Sequence, residues 1–100
     1  VHARITGRVQ GVSFRAWTQG RARALGLEGW VCNEADGSVT ALIGGESSAV
    51  DEMVQALHIG PRWANVTGVE IEPAAVSEIP PGFRITRYNR SPFPGLSPDN

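Results

Sequence analysis

Arg15 and the short segment before it are the residues best suited to binding an anion. Residues 10–13 contain a glycine and separate an alternating, strand-like stretch from a helical pattern that begins at Phe14. The first N–H groups of a helix have no partner within the helix, and its dipole places partial positive charge there. A phosphate or similar oxyanion can bind to such groups and to the guanidinium of Arg15. Taken alone, residues 7–15 fit a simple glycine turn with a solvated arginine equally well.

The composition requires any anion binding to be local. The chain has 100 residues, enough for one domain, and its formal net charge is −1. A chain with this net charge has no overall electrostatic attraction to nucleic acid or to an anionic membrane. Cys32 is the only cysteine, which excludes an intramolecular disulfide and a zinc site built from several thiolates. No apolar run is long enough for a membrane span and no signal peptide is visible, so we expect a cytoplasmic protein.

The elements that must position these residues follow from hydrophobic periodicity. Residues 2–9 alternate as a half-buried strand does, and residues 14–25 carry an apolar helical stripe that ends before Gly26. Two further strands, 27–33 and 38–44, flank a hairpin turn centred on Asp36 and Gly37. Later segments are a helix capped by Ser47 or Ser48, a strand over 65–72, a loop over 73–82 and a short strand over 83–88.

This order of elements predicts an α+β fold. Strand, helix, strand, strand, helix and strand form the ferredoxin-like, split βαβ pattern (βαββαβ), an antiparallel sheet with two helices on one face. One domain is expected over residues 1–88. Residues 89–100 contain three prolines and are expected to form a poorly ordered tail.

Three blocks of the chain resemble the acylphosphatase family. The first is the run from Gly7 to Arg15, followed by Trp17 and Thr18. The second leads from Ala22 through Leu25-Gly26-Leu27 to Gly29-Trp30-Val31-Cys32-Asn33, and the third is Asp36-Gly37-Ser38-Val39. Weaker support comes from Gly60-Pro61 and from Gly82-Phe83-Arg84-Ile85, so the match spans nearly all of residues 3–88. The order and spacing of the blocks argue against a chance match.

The resemblance implies a role for each residue of a two-part site. The phosphate of an acyl phosphate would lie in a loop of backbone N–H groups and against Arg15. Asn33 would position the attacking water, and Thr18 would support the loop or Asn33 by a hydrogen bond or by packing. The residues that correspond to the loop are Gln10, Gly11, Val12, Ser13 and Phe14.

The residue types agree with that chemistry. A carboxylate is a good leaving group, so hydrolysis of a carboxylic–phosphoric anhydride does not strictly need a general acid. The loop has no Asp, Glu or His, which suits a reaction driven by positioning and by neutralisation of oxygen charge. No metal ligands cluster nearby, so we expect no metal and no cofactor. Ser13 lacks a His or Asp partner at a motif spacing and is not interpreted as a nucleophile.

Two other functions are weighed against a small monomeric acylphosphatase that acts on a small-molecule acyl phosphate. An acylphosphatase-like domain of a carbamoyltransferase would act on carbamoyl phosphate, but such domains usually have proline after the arginine, where this chain has Ala16. A non-catalytic module that binds anions is the second alternative. An RNA-binding module of the same fold is disfavoured, since the first strand lacks aromatic residues and the net charge is slightly negative.

Overall fold

A computed structural model describes residues 1–86, and these contain five strands and two α-helices. The elements are β1 (His2–Arg8), α1 (Phe14–Ala24), β2 (Glu28–Asn33), β3 (Val39–Gly44), α2 (Ser47–Leu57), β4 (Asn65–Glu72) and β5 (Phe83–Ile85), with a 3₁₀ turn at Val76–Glu78 before β5. This order confirms the predicted α+β, ferredoxin-like fold. Predictions for residues 87–100, namely the end of the last strand and the tail, lie outside the described residues.

The five strands form one sheet in the order β4-β1-β3-β2-β5. The three pairings among β1 to β4 are antiparallel, as the fold predicts. β5 instead runs parallel to β2, so the sheet is mixed at that edge. The chain reaches this edge from β4 at the other edge, and Ile79 of the connecting segment packs against Gly44 on the way.

The hydrophobic core lies between the sheet and the two helices. In β1, the alternate residues Ala3 and Ile5 belong to this core and are fully buried, as a period of two requires, whereas β4 at the sheet edge has only half-buried and exposed residues. Large side chains of this core are Ile5, Val31, Val39, Ile43 and Phe83 from the strands, with Phe14, Met53 and Leu57 from the helices. Burial of one such large apolar side chain contributes roughly 1.5–3 kcal/mol, so this layer holds α1 against β2.

The helix ends agree only partly with the sequence predictions. Gly26 adopts φ 70°, and Leu27 N donates to Ala22 O at 2.8 Å, which confirms the left-handed end of α1. The predicted serine cap of α2 is wrong, because α2 begins at Ser47 and its N-cap residue is Glu46, without a side-chain capping bond. Because the backbone of Glu46 is extended, the helix begins at Ser47, one residue earlier than it would with Ser47 as its N-cap.

One large aromatic side chain is exposed. The residue type of Trp63 favours packing, yet Trp63 is 70% exposed and its ring lies under the guanidinium of Arg62, 5.0 Å from the centroid. Neither described helix has the length and apolar character that crossing a bilayer requires.

Candidate active site

The loop between β1 and α1 has a backbone suited to anion binding. Gly11 has φ 73° and Ser13 has φ 63°, and Ser13 is the only non-glycine with positive φ among residues 1–86. Ser13 precedes α1 as its N-cap residue, but its side chain makes no capping bond. The N–H groups of the first turn are therefore not engaged by that side chain and can donate to a ligand.

The side chain of Gln10 holds this loop to the hairpin between β2 and β3. Its Nε2 donates to the carbonyl oxygens of Glu34 and Ser38, each at 2.8 Å. The sequence analysis assigned Gln10 only a backbone role. The sequence carries no signal for this contact, since it depends on the distance between two loops that the sheet brings together.

Arg15 and Asn33 line one cavity, as the two-part site requires. The cavity has a volume of about 400 Å³. Its lining residues are Val9, Gly11, Ser13, Phe14, Arg15, Ala16, Asn33 and Ile85. The predicted residues Gln10 and Val12 are not among them: Val12 is buried in the core, and Gln10 turns to the hairpin. Both can contribute only backbone groups.

An adjoining cavity of about 290 Å³ extends the site towards the sheet edge. Arg15, Asn33 and Ile85 line this cavity too, together with Thr86. Ile85 is 40% exposed and lies on β5, where it pairs in register with Val31 of β2. Sequence analysis gave Ile85 no role, because only the parallel pairing of β5 with β2 places it beside Asn33.

Asn33 and Thr18 present buried polar atoms that no described group satisfies. Asn33 Oδ1 and Thr18 Oγ1 each lack a hydrogen-bond partner within residues 1–86, although Thr18 is fully buried. The bond from Thr18 to Asn33 or to the loop, one of its two predicted roles, is not present. An unpaired amide oxygen costs about 1–3 kcal/mol when buried.

The charges around the cavity favour an anion. Arg15 is the single charged residue in the lining. Glu34, next to Asn33 in sequence, instead accepts hydrogen bonds from Thr40 and Cys32 on the other face of the sheet. Burial raises the pKa of the Glu34 carboxyl, which further disfavours negative charge near the site.

Cys32 is a buried residue of β2. Burial raises the pKa of its thiol above the usual value, which disfavours the reactive thiolate. Among the described residues, no three His, Cys, Asp or Glu side chains are grouped so that they could hold a metal ion.

A model of the acylphosphatase family matches residues 1–85. The acylphosphatase of Rhizobium etli is 56% identical over 86 residues, which are 86% of this chain and 92% of that protein. The crystal structure of acylphosphatase from Bacillus subtilis is similar with a TM-score of 0.79 and 34% identity, over 85% of this chain and 94% of that one.

A larger protein shares the fold over a small part of its length. Full-length HypF, solved in a phosphate- and nucleotide-bound form, is similar with a TM-score of 0.72 and 26% identity. The similarity covers 85% of this chain but only 12% of that chain.

Proposed function

The chain belongs to the acylphosphatase family and is an enzyme that hydrolyses acyl phosphates, and we propose that Arg15 and Asn33 carry the reaction. The observation that supports this assignment is their shared cavity, to which the loop contributes Gly11, Ser13 and Phe14. One side of the cavity offers a guanidinium and helix N–H groups, while the other offers an amide. These are the groups that phosphoryl transfer to water needs for positioning and charge neutralisation.

Arg15 and the loop bind the phosphate. The guanidinium donates two parallel hydrogen bonds to phosphate oxygens, and the N–H groups of residues 11–14 donate to the others. These donors are fixed before the substrate arrives, so they stabilise the charge that spreads over the oxygens in the transition state without reorganisation.

Asn33 orients the attacking water. The amide of Asn33 lines the cavity and forms a hydrogen bond with that water, which directs an oxygen lone pair at phosphorus. The water oxygen forms the new P–O bond. The bond from phosphorus to the acyl oxygen breaks, and its electron pair stays on the acyl oxygen. The products are a carboxylate and inorganic phosphate, and the water proton passes to a phosphate oxygen, the base nearest to it.

Thr18 supports the site by packing. It is fully buried, as are Phe14 and Ala22 of the same helix. No cofactor enters the proposed reaction. We further propose that the enzyme acts as a monomer in the cytoplasm on a small-molecule acyl phosphate, for which its single, buried and free cysteine is suited.

Carbamoyl phosphate is the second candidate substrate. The similarity to HypF concerns a domain of similar fold, and the phosphate of carbamoyl phosphate would meet the same loop. The higher identity to the Rhizobium acylphosphatase, at 56% against 26%, favours general acyl phosphates.

Hydrolysis of benzoyl phosphate and acetyl phosphate in the presence of a metal chelator tests the proposal. We expect turnover by the parent, and a loss of at least about 100-fold in kcat/KM for both Arg15→Gln and Asn33→Ala, as removal of one preorganised group causes in other enzymes. Arg23→Gln, an exposed arginine on the same helix, is the matched control and should retain full activity. Turnover that survives both site substitutions would refute the assignment.

A further inference from the structure

Gln10 joins the two halves of the site through its side chain. It belongs to the loop that precedes α1, yet its amide reaches two carbonyl oxygens of the hairpin, each at 2.8 Å. One acceptor belongs to Glu34, the residue that directly follows Asn33. The contact therefore runs from the segment that would bind phosphate to the segment that would hold the water.

The hairpin that receives Gln10 is held firmly by its own contacts. Glu34 N donates to Ser38 O at 2.9 Å, and Asp36 Oδ1 accepts from both the N and the Oγ of Ser38. Arg4 of β1 donates to Asp36 Oδ2 at 2.7 Å. The hairpin is thus anchored to the sheet, and it can act as a fixed reference for a loop that has fewer contacts of its own.

We propose that Gln10 is a positioning residue that sets the distance between the phosphate loop and Asn33. The inference rests on the proposed function, since it assumes that phosphate lies at the loop and water at Asn33. In-line displacement requires the two reacting atoms about 3–3.5 Å apart, and a misplacement of about 1 Å can cost 100-fold in rate. Two hydrogen bonds to neighbouring carbonyls fix the loop against that displacement.

The proposal predicts a specific kinetic signature. Loss of the Gln10 amide changes where the phosphate lies relative to the water, but it leaves Arg15 and the helix N–H groups in place. Turnover should therefore fall more than anion binding does. A residue that only stabilised the fold would lower the amount of folded enzyme and leave kcat per folded molecule unchanged.

Three variants separate these cases. Gln10→Met keeps the length of the side chain and removes the amide, while Gln10→Glu replaces the donor by a carboxylate that two carbonyl oxygens repel. Gln19→Met is the matched control, because Gln19 Nε2 also bonds a backbone carbonyl, that of Phe83 at 3.1 Å, on the other side of α1. The measurements are kcat for benzoyl phosphate, the inhibition constant of inorganic phosphate, and the folded fraction by circular dichroism.

We expect kcat of Gln10→Met to fall about 10- to 100-fold, with the phosphate inhibition constant within about threefold of the parent. Gln19→Met should match the parent in both. Gln10→Glu should recover part of its kcat at acidic pH, where a protonated carboxyl can again donate to one carbonyl, whereas Gln10→Met should not.

The opposite results would overturn the inference. A kcat of Gln10→Met within twofold of the parent would show that the contact is not needed. A phosphate inhibition constant that rises in step with the loss of kcat would assign Gln10 to anion binding alone. If Gln10→Met folds poorly, the ratio of kcat at acidic pH to kcat at neutral pH in Gln10→Glu tests the proposal instead. A ratio equal to that of the parent counts against the proposal. Results that contradict the proposed function itself are different: the parent would not hydrolyse the acyl phosphate, or Asn33→Ala would retain full activity.

Discussion

Two loops at the same end of the sheet differ in how their hydrogen-bonding groups are paired. The hairpin turn of residues 34–38 has several hydrogen bonds of its own, since the carboxylate of Asp36 accepts from Ser38 twice and the backbone bond from Glu34 closes the turn. The phosphate loop, residues 10–14, has no side-chain cap before α1. The side chain of its first residue, Gln10, instead bonds it to the hairpin.

The difference follows from what each loop has to present. A loop that binds an anion with its backbone must leave its N–H groups pointing outward, and it therefore cannot use them for its own stability. Such a loop depends on a neighbour and on its ligand. The hairpin has no such duty, so its short polar side chains can bond its own backbone, and it serves as the neighbour.

Inorganic phosphate should stabilise the protein through the phosphate loop, and this is the largest effect that the comparison predicts. At a concentration 100 times its Kd, a ligand specific to the folded state raises the free energy of unfolding by about 2.7 kcal/mol. Denaturant unfolding with and without phosphate measures the effect. Sodium chloride at matched ionic strength controls for charge screening, and Arg15→Gln should lose most of the phosphate effect.

Substitutions in the hairpin leave that stabilisation unchanged if the two loops divide their roles as described. Asp36→Asn should show the same phosphate increment as the parent, although its baseline stability is lower. An increment that fell equally in Arg15→Gln and Asp36→Asn would mean that phosphate binds to both loops, and the comparison would be wrong.

Alanine at the two turn glycines provides a second, smaller test. Gly11 has φ 73° and Gly37 has φ 93°, and an added Cβ would meet no atom within 4 Å at either position. The cost is therefore conformational alone, about 1 kcal/mol for each variant. We expect similar losses of unfolding free energy but different activities, with kcat/KM reduced in Gly11→Ala and retained in Gly37→Ala. Equal activity in both variants would show that the loop backbone tolerates change at Gly11.

Much of the fold was predictable because local patterns determine it. The alternation in β1 and the Asp36-Gly37 turn each specify one local conformation, and the observed elements confirm them. The positions of Arg15 and Asn33 on one cavity were also predicted, but the order of the site blocks in the family resemblance supplied that prediction. Residue spacing alone gave only a plausible anion loop.

The remainder depends on contacts between segments that are distant in sequence. Ile85 reaches the cavity because β5 pairs in parallel with β2, and periodicity does not identify a strand's neighbour. Gln10 reaches the hairpin 24 residues away through the same three-dimensional arrangement. Trp63 is exposed although its residue type favours burial, and its ring packs against the guanidinium of Arg62.

The smallest predicted effect concerns the negative charge of Asp36, whose carboxylate accepts hydrogen bonds from Arg4 and Ser38. The hydrogen bonds from Ser38, together with the guanidinium of Arg4, lower the pKa of Asp36 from 3.8 to about 2. Because the folded-state pKa is depressed, the stabilisation is complete above the unfolded value near 3.8 and is lost as pH falls towards about 2. Asp36 is partly exposed, so we expect Asp36→Asn to cost no more than about 1 kcal/mol at neutral pH.

That difference between parent and Asp36→Asn should shrink as pH falls from 5 to 2, as measured by urea unfolding at each pH. Asp51→Asn, an exposed residue of α2, controls for the loss of one negative charge. A difference that stays constant over this range would mean that the amide geometry and not the charge of Asp36 matters. The hairpin would then owe its rigidity to hydrogen bonds alone, and the anchor offered to Gln10 would be independent of pH.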